Sequence, residues 1–312
     1  MHEALRNYWY PVARVSEITD RPVATTLLGE AIALYRARDR VVALHDLCIH
    51  RGTPLSLGWV DGDELTCAYH GWRYDATGAC VRIPSLPPGR VIPPKARVTS
   101  YRVEERFDLV WVCLGTPAAP IPAFPEYEDP GYRALWTRHR LRASAARVIE
   151  NVMDFAHFPW VHPGILGDRS KPIYESTPAR SEGNEIHYTV DDVQTNAIRT
   201  YRVSLPFALH MHVRRRSGGD TERFNVLFFV GSPIADRETT FYFGHARNFA
   251  LDQPDENFER QDNEVIAQDK RMVEAQRPEE LPLDLSAELH LRGTDAAAVE
   301  YRRALVRLGL GT

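Results

Sequence analysis

Two short runs, Cys48-Ile-His50 and Cys67-Ala-Tyr-His70, lie sixteen residues apart and constrain this chain more than any other feature. One thiolate and one neutral imidazole from each run make four ligands. That set fits a [2Fe–2S] centre in which two histidines replace two of the usual thiolates. Both runs sit in tight loops, with Gly52 and Pro54 after the first and Gly71 after the second. Backbone N–H groups in such loops can bond to the bridging sulfides and tune the potential. The two histidines raise the reduction potential well above that of an all-cysteine plant-type cluster. A structural Cys₂His₂ zinc site is the alternative, but zinc fingers usually place both cysteines before both histidines, whereas here they alternate. The pattern predicts an acceptor of single electrons.

The rest of the composition removes other classes of function. A net charge of −4 with no basic block offers no footprint for nucleic acid. The N-terminal MHEALRNYWYPVARVSEI has no apolar core of the kind a signal peptide needs. No apolar run reaches bilayer-spanning length, and the longest, Phe224 to Ile234, reads as a core strand, so no membrane partner is expected. The two remaining cysteines, Cys80 and Cys113, sit in strand-like contexts and read as buried thiols rather than a disulfide. A cytoplasmic, reducing location is the expectation.

With 312 residues the chain is long enough for two domains. Short strands are predicted at Ala31–Tyr35, Arg40–Leu44, Leu65–Ala68, Arg97–Glu104 and Leu109–Leu114. A proline-rich stretch from Thr116 to Pro125 reads as a linker, dividing a first domain (1–118) from a second (119–312). Beyond it, Ala145 to Phe158 has helical character until Pro159 and Pro163 break it. Strands follow at Glu185–Val190, Ile198–Ser204, Leu209–Val213, Arg223–Val230 and Thr239–Arg247, then helices at Glu256–Gln276 and Asp295–Leu308. This order predicts an α+β second domain whose antiparallel sheet curves around a helix.

The segment CIHRGTPLSLGWVDGDELTCAYHGWRYDATGACV resembles the Rieske domain of the Rieske non-haem iron, or ring-hydroxylating, oxygenases. The resemblance implies an all-β Rieske domain, with Cys48, His50, Cys67 and His70 holding the cluster, followed by a helix-grip (START-like) catalytic domain. The disulfide-forming cysteines of respiratory-chain Rieske proteins are missing beside the ligands, which argues against an electron carrier of that kind.

A second constellation follows at Glu150, Asp154, His157 and His162. On a helix, Glu150, Asp154 and His157 would share one face, while His162 lies beyond Pro159 and must approach from a bend. A ferrous ion that activates O₂ needs two histidines and one carboxylate with positions left open. The run D-x-x-H-x-x-x-x-H is similar to the one this family places at its mononuclear iron. By that resemblance His157 and His162 are ligands, and Asp154 bridges to the second cluster histidine, His70, of a neighbouring subunit in a head-to-tail homotrimer. The third ligand must come from the late helix. Its apolar stripe of Phe258, Val265, Ile266, Met272 and Val273 contains both Asp262 and Asp269, and periodicity alone does not choose between them. The resemblance of Gln268-Asp-Lys-Arg-Met-Val-Glu-Ala-Gln276 favours Asp269.

Similarity extends through Leu5–Ala13, Val161–Gly167 and Asp295–Arg303 to the vanillate O-demethylase branch, whose members act as monooxygenases. It implies an oxygenase component fed from NAD(P)H by a reductase, with or without a ferredoxin, and hydroxylating or demethylating a small aromatic or hydrophobic substrate with O₂. The alternatives are a cis-dihydroxylating dioxygenase and a non-catalytic electron carrier. Asn225 and His245, polar residues on otherwise apolar strand faces, are candidate substrate contacts. His210 and His212 share a face with Arg214 and are expected to meet solvent.

Overall fold

A computed structural model describes residues 2–216 and 222–310 of the chain. The chain divides into two compact units, Glu3–Ile121 and Pro122–Thr312.

The first unit contains ten strands: β1 (Tyr10–Arg14), β2 (Val23–Leu27), β3 (Glu30–Ala37), β4 (Arg40–His45), β5 (Trp59–Asp61), β6 (Glu64–Thr66), β7 (Arg73–Tyr74), β8 (Cys80–Arg82), β9 (Ser100–Arg106) and β10 (Leu109–Cys113). They form an antiparallel six-stranded sheet in the order β1-β10-β9-β4-β3-β2 and a four-stranded meander β5-β6-β7-β8. The five apolar residues of β10 are all buried, which explains why that strand is readable as a hydrophobic run. β1 is harder to read because it carries Pro11, tolerated only because β1 is an edge strand. Tight hairpins set the register. Phe107 and Asp108 both adopt positive φ (55° and 58°) between β9 and β10, the geometry that matches strand twist. The expected strand Leu65–Ala68 stops at Thr66 because Cys67 leaves the ladder to start a loop. Cys80 and Cys113 are buried free thiols.

The second unit has an antiparallel eight-stranded sheet. Its strands are β11 (Arg133–Leu141), β12 (Glu175–Ser176), β13 (Arg180–Glu182), β14 (Glu185–Asp192), β15 (Ala197–Ser204), β16 (Ala208–Arg215), β17 (Arg223–Ala235) and β18 (Glu238–Arg247). The order is β11-β18-β17-β16-β15-β14-β12, with β13 beside β14. β14 alternates half-buried and buried residues along its whole length, as a one-sided sheet requires. Among the described residues five α-helices complete the unit: α1 (Pro125–Glu128), α2 (Ala145–Met153), α3 (Phe158–Val161), α4 (Asp255–Val273) and α5 (Ala296–Arg307). α2 lies on β16, β17 and β18, α4 on β11 and α2, and α5 on α2 and β14. No helix among the described residues is long and apolar enough to cross a membrane.

Two sequence expectations are corrected here. The predicted helix through Phe158 ends at Met153, so Glu150, Asp154 and His157 do not share a helix face. Asp154 is extended (φ −78°, ψ 128°), and its Oδ1 accepts from Ala156 N at 2.7 Å, a side-chain turn that competes with helix. On α4, Met272 is exposed rather than part of the stripe, and the buried face is Asp262, Ile266, Asp269 and Val273.

Glu150 is instead tied to α5. Arg302, 3% exposed at its side chain, donates to both Glu150 oxygens at 2.6 and 2.8 Å and to Glu288 at 2.5 Å. Arg147 joins the cluster through Glu288 at 2.7 Å. Burial pushes the Glu150 carboxyl up even against this pull from Arg302. Removing one partner from such a cluster leaves an uncompensated buried charge. Arg302→Met is therefore expected to cost about 3–5 kcal/mol in denaturant unfolding. Adding Glu150→Gln should recover part of that loss, and an additive double variant would contradict the coupling.

Candidate metal centres and the adjoining cavity

In the first unit both Cys-His runs fold into the same turn. Cys48 N donates to Thr53 O and Gly52 N to Cys48 O, at 2.8 and 2.9 Å. Cys67 N donates to Trp72 O and Gly71 N to Cys67 O, at 2.9 and 3.0 Å. Each turn closes on a glycine at positive φ (71° and 69°), a conformation costly for other residues. Two matched loops thus present their side chains to one another. Cys48 and Cys67 are buried, and the His50 and His70 rings lie 4.6 Å apart. Trp72 stacks on His50 at 4.5 Å and fixes its plane.

The chemistry of these donors fits the cluster. Burial pushes the Cys67 thiol up, and the neighbouring Cys48 adds to the effect, so two thiolates here need a cation between them. Burial also raises the Tyr74 phenol, which stays protonated and can donate to Cys48 Sγ, 3.1 Å away. His50 Nδ1 is buried without a hydrogen-bond partner, as an imidazole reserved for a metal would be.

In the second unit, the break after α2 sends His157 and His162 toward α4. Asp269 Oδ1 lies 3.0 Å from His162 Nε2 and 3.3 Å from His157 Nε2. The ligand atoms of all three residues fall within 4.8 Å of one another. His157 Nε2 nevertheless makes no hydrogen bond and remains a buried orphan. The outer nitrogens are held in place. His157 Nδ1 is 3.3 Å from Asp154 Oδ2, and His162 Nδ1 is 2.7 Å from Gln268 Oε1. Two imidazoles and a carboxylate on one side, each imidazole fixed by an outer acceptor, suit a non-haem ferrous ion. Gln268 escapes sequence reading because a glutamine beside a candidate ligand carries no signal until the fold aims it.

Charge follows the geometry. Burial alone would lower the His157 pKa, but the carboxylates of Asp154 and Asp269 outweigh it and hold it at about 9. Burial likewise opposes ionisation of Asp269, yet the two imidazoles hold its pKa at about 2.

Asp262 faces elsewhere. Its oxygens lie 3.0 and 3.2 Å from His245 Nδ1, and His245 Nε2 is 3.1 Å from Asn225 Oδ1. The structure therefore separates the two candidate carboxylates of α4: Asp269 faces the histidine pair, and Asp262 backs His245. Asn225, His245, His157, His162 and Asp269 all line one cavity of about 240 Å³, whose walls include Phe158, Leu227, Phe229 and Phe243. The expectation of solvent exposure fails for His210 and His212. His210 is largely buried against Glu126 at 3.0 Å, and His212 is half-buried beside Phe224. Only Arg214 of that face is exposed, paired with Glu222.

Comparison with known proteins gives two family matches, the Rieske [2Fe–2S] domain over residues 8–102 and the vanillate O-demethylase oxygenase C-terminal domain over residues 141–310. The methylxanthine N1-demethylase NdmA of Pseudomonas putida is 32% identical, over 98% of this chain and 90% of that protein. The structure of NdmA with caffeine superposes with a TM-score of 0.87 at 32% identity, covering 96% of this chain and 90% of the other. Dicamba monooxygenase bound to dicamba gives 0.85 at 27% identity, covering 97% of each chain.

A divalent cation entering between His157, His162 and Asp269 must displace the proton His157 carries at neutral pH. Iron(II) affinity of the mononuclear-site apo-protein should therefore rise about tenfold per pH unit from pH 7 and level off near 9. In the metal-free protein the same raised pKa stabilises the fold below about pH 6.5, a contribution that fades as pH rises through about 9. Anaerobic calorimetry in buffers of different ionisation enthalpy would count the released proton; pH-independent affinity would contradict this account.

Proposed function

Because this chain belongs to the Rieske non-haem iron oxygenases of the vanillate O-demethylase type, we propose that it hydroxylates or oxidatively demethylates a small aromatic substrate at His157, His162 and Asp269. It is an oxidoreductase, the oxygenase component of a demethylase-class system, and its Rieske domain carries a [2Fe–2S] cluster. The observation that carries the proposal is the convergence of two imidazoles and one carboxylate on the wall of an apolar cavity. An electron carrier has no use for either.

In this reading residues 1–118 hold the cluster through Cys48, His50, Cys67 and His70, and residues 119–312 hold the substrate and a mononuclear Fe(II). When bound, the two metal groups supply electrons and activate O₂. The chain's own residues do the rest. Asp154 holds the Nδ1 proton of His157, and Gln268 that of His162, so both Nε2 lone pairs point inward. The phenylalanines exclude water from the reacting carbon. Asn225 and His245, the latter backed by Asp262, offer polar contacts that orient the ring. Asp154, 40% exposed at its side chain, is free to meet a second partner, which we assign to His70 of another subunit in a homotrimer. Electrons would come from NAD(P)H through a reductase, with or without a ferredoxin, in the cytoplasm.

Iron quantitation should find three irons per chain, while two would favour the carrier. His157→Ala is expected to remove one iron and spare the visible spectrum of the cluster. Asp154→Ala should keep all three yet lose nearly all turnover, and undiminished activity would sink the bridging role. Formaldehyde release from methoxy- and N-methyl-aromatics would identify demethylation. Incorporation of both atoms of labelled O₂ into one product would point to dihydroxylation instead.

A further inference from the structure

The cavity contains a cation that the metal-side residues leave unused. Arg199, on β15, is 5% exposed and lines the cavity with Phe158 and Met211. Its Nε donates to Asp192 Oδ2 at 2.8 Å. That carboxylate also accepts from the backbone of Gln194 and Thr195 and from the Thr195 hydroxyl. Arginine–carboxylate pairs that serve packing are frequently bidentate, with two parallel N–H···O bonds. Here one bond joins them, and the Nη fork is left over. Nη1 meets only the Met211 thioether at 3.7 Å, a weak acceptor, and among the described residues no oxygen accepts from Nη1 or Nη2.

The fork is also well placed. The guanidinium lies 5.2 Å from the Phe158 ring centroid, and that ring is 4.9 Å from the His157 ring. Two more arginines of the lining, Arg215 and Arg223, are solvent-exposed and stand opposite each other in the register of β16 and β17. Arg199 is the buried guanidinium of these three, and the two carboxylates of the lining, Asp262 and Asp269, are already engaged by imidazoles. Nη2 makes no hydrogen bond within the protein and is not sealed from water, so it is open to a ligand, and a planar oxyanion satisfies the fork bidentately.

We propose that Arg199 is the specificity-determining residue of this cavity, binding the carboxylate of an aromatic-acid substrate through its Nη fork and so selecting it over neutral rings. The inference deepens the demethylase reading and rests on it.

The test is anaerobic calorimetry of the full-length, iron-loaded protein without reductant, using 4-methoxybenzoate and its neutral isostere 4-methoxybenzamide. Wild type should bind the benzoate at least about tenfold more tightly than the amide. The Arg199→Met/Asp192→Asn protein, which removes both buried charges together, should lose at least about tenfold for the benzoate and hold the amide within about twofold. If that protein does not fold, Arg199→Lys keeps the charge without the fork and should lose about threefold or more for the benzoate alone. Equal affinities in wild type, absence of benzoate binding, or benzoate affinity unchanged in the folded variant would overturn the proposal. Formaldehyde assays separate it from the reading beneath it. Neutral ethers turned over equally by wild type and variant, with no Arg199-dependent acid binding, overturn the anchor and leave demethylation standing. Arg199-dependent binding without turnover of any methylated aromatic overturns demethylation and leaves the anchor.

Discussion

The second unit is organised around one buried carboxylate. Asp269 is 8% exposed, yet it stays ionised because His157 and His162 stand on either side of it. A charge in that position is tolerable only if its partners are brought to it and held. Several otherwise odd features follow. α2 must stop at Met153 so that the chain can turn His157 inward, and α3 must be short so that His162 returns to the same point. α4 must lie with its acidic stripe inward, against the usual preference of a helix to face the core with apolar residues alone.

The outer acceptors complete this arrangement unequally. His157 is backed by a carboxylate, His162 by a neutral amide. The carboxylates of Asp154 and Asp269 hold the His157 pKa up, and the proton that a metal must displace is assigned to it. The charged partner, Asp154, has 40% of its side chain exposed, so the same group that holds His157 is open to a second contact. The cavity repeats the theme, since Asp262 engages His245 and Asp192 engages Arg199, each buried polar group of its wall paired with a carboxylate.

In the first unit the constraint is geometric rather than electrostatic. Two loops with identical backbone hydrogen bonds, each closed by a glycine at positive φ, bring Cys48 and Cys67 inward. The difference between them, histidine two residues after the first cysteine and three after the second, aims one ring at Trp72 and leaves the other exposed. Exposure of His70 is compatible with the contact to another subunit proposed above.

What the sequence determined by itself was whatever depends on spacing. The Cys-x-His and Cys-x-x-His runs, the D-x-x-H-x-x-x-x-H run, and strands with clear alternation or dense apolar runs such as β14 and β10 are legible because local geometry converts spacing directly into position. β11 was not legible, because an edge strand carrying Arg138, His139 and Arg140 breaks the alternation that marks a sheet. Strands of two or three residues, such as β7 and β8, fall below any periodic signal. Only the tertiary structure shows which distant side chains Asp262 and Asp269 meet, since both lie on the buried face of α4 and differ in which element faces them. It likewise shows that Glu150 belongs to Arg302, that Gln268 supports His162, and that Arg199 lines the cavity. Each depends on partners more than a hundred residues away, or on the direction of a side chain, and neither is encoded in local pattern.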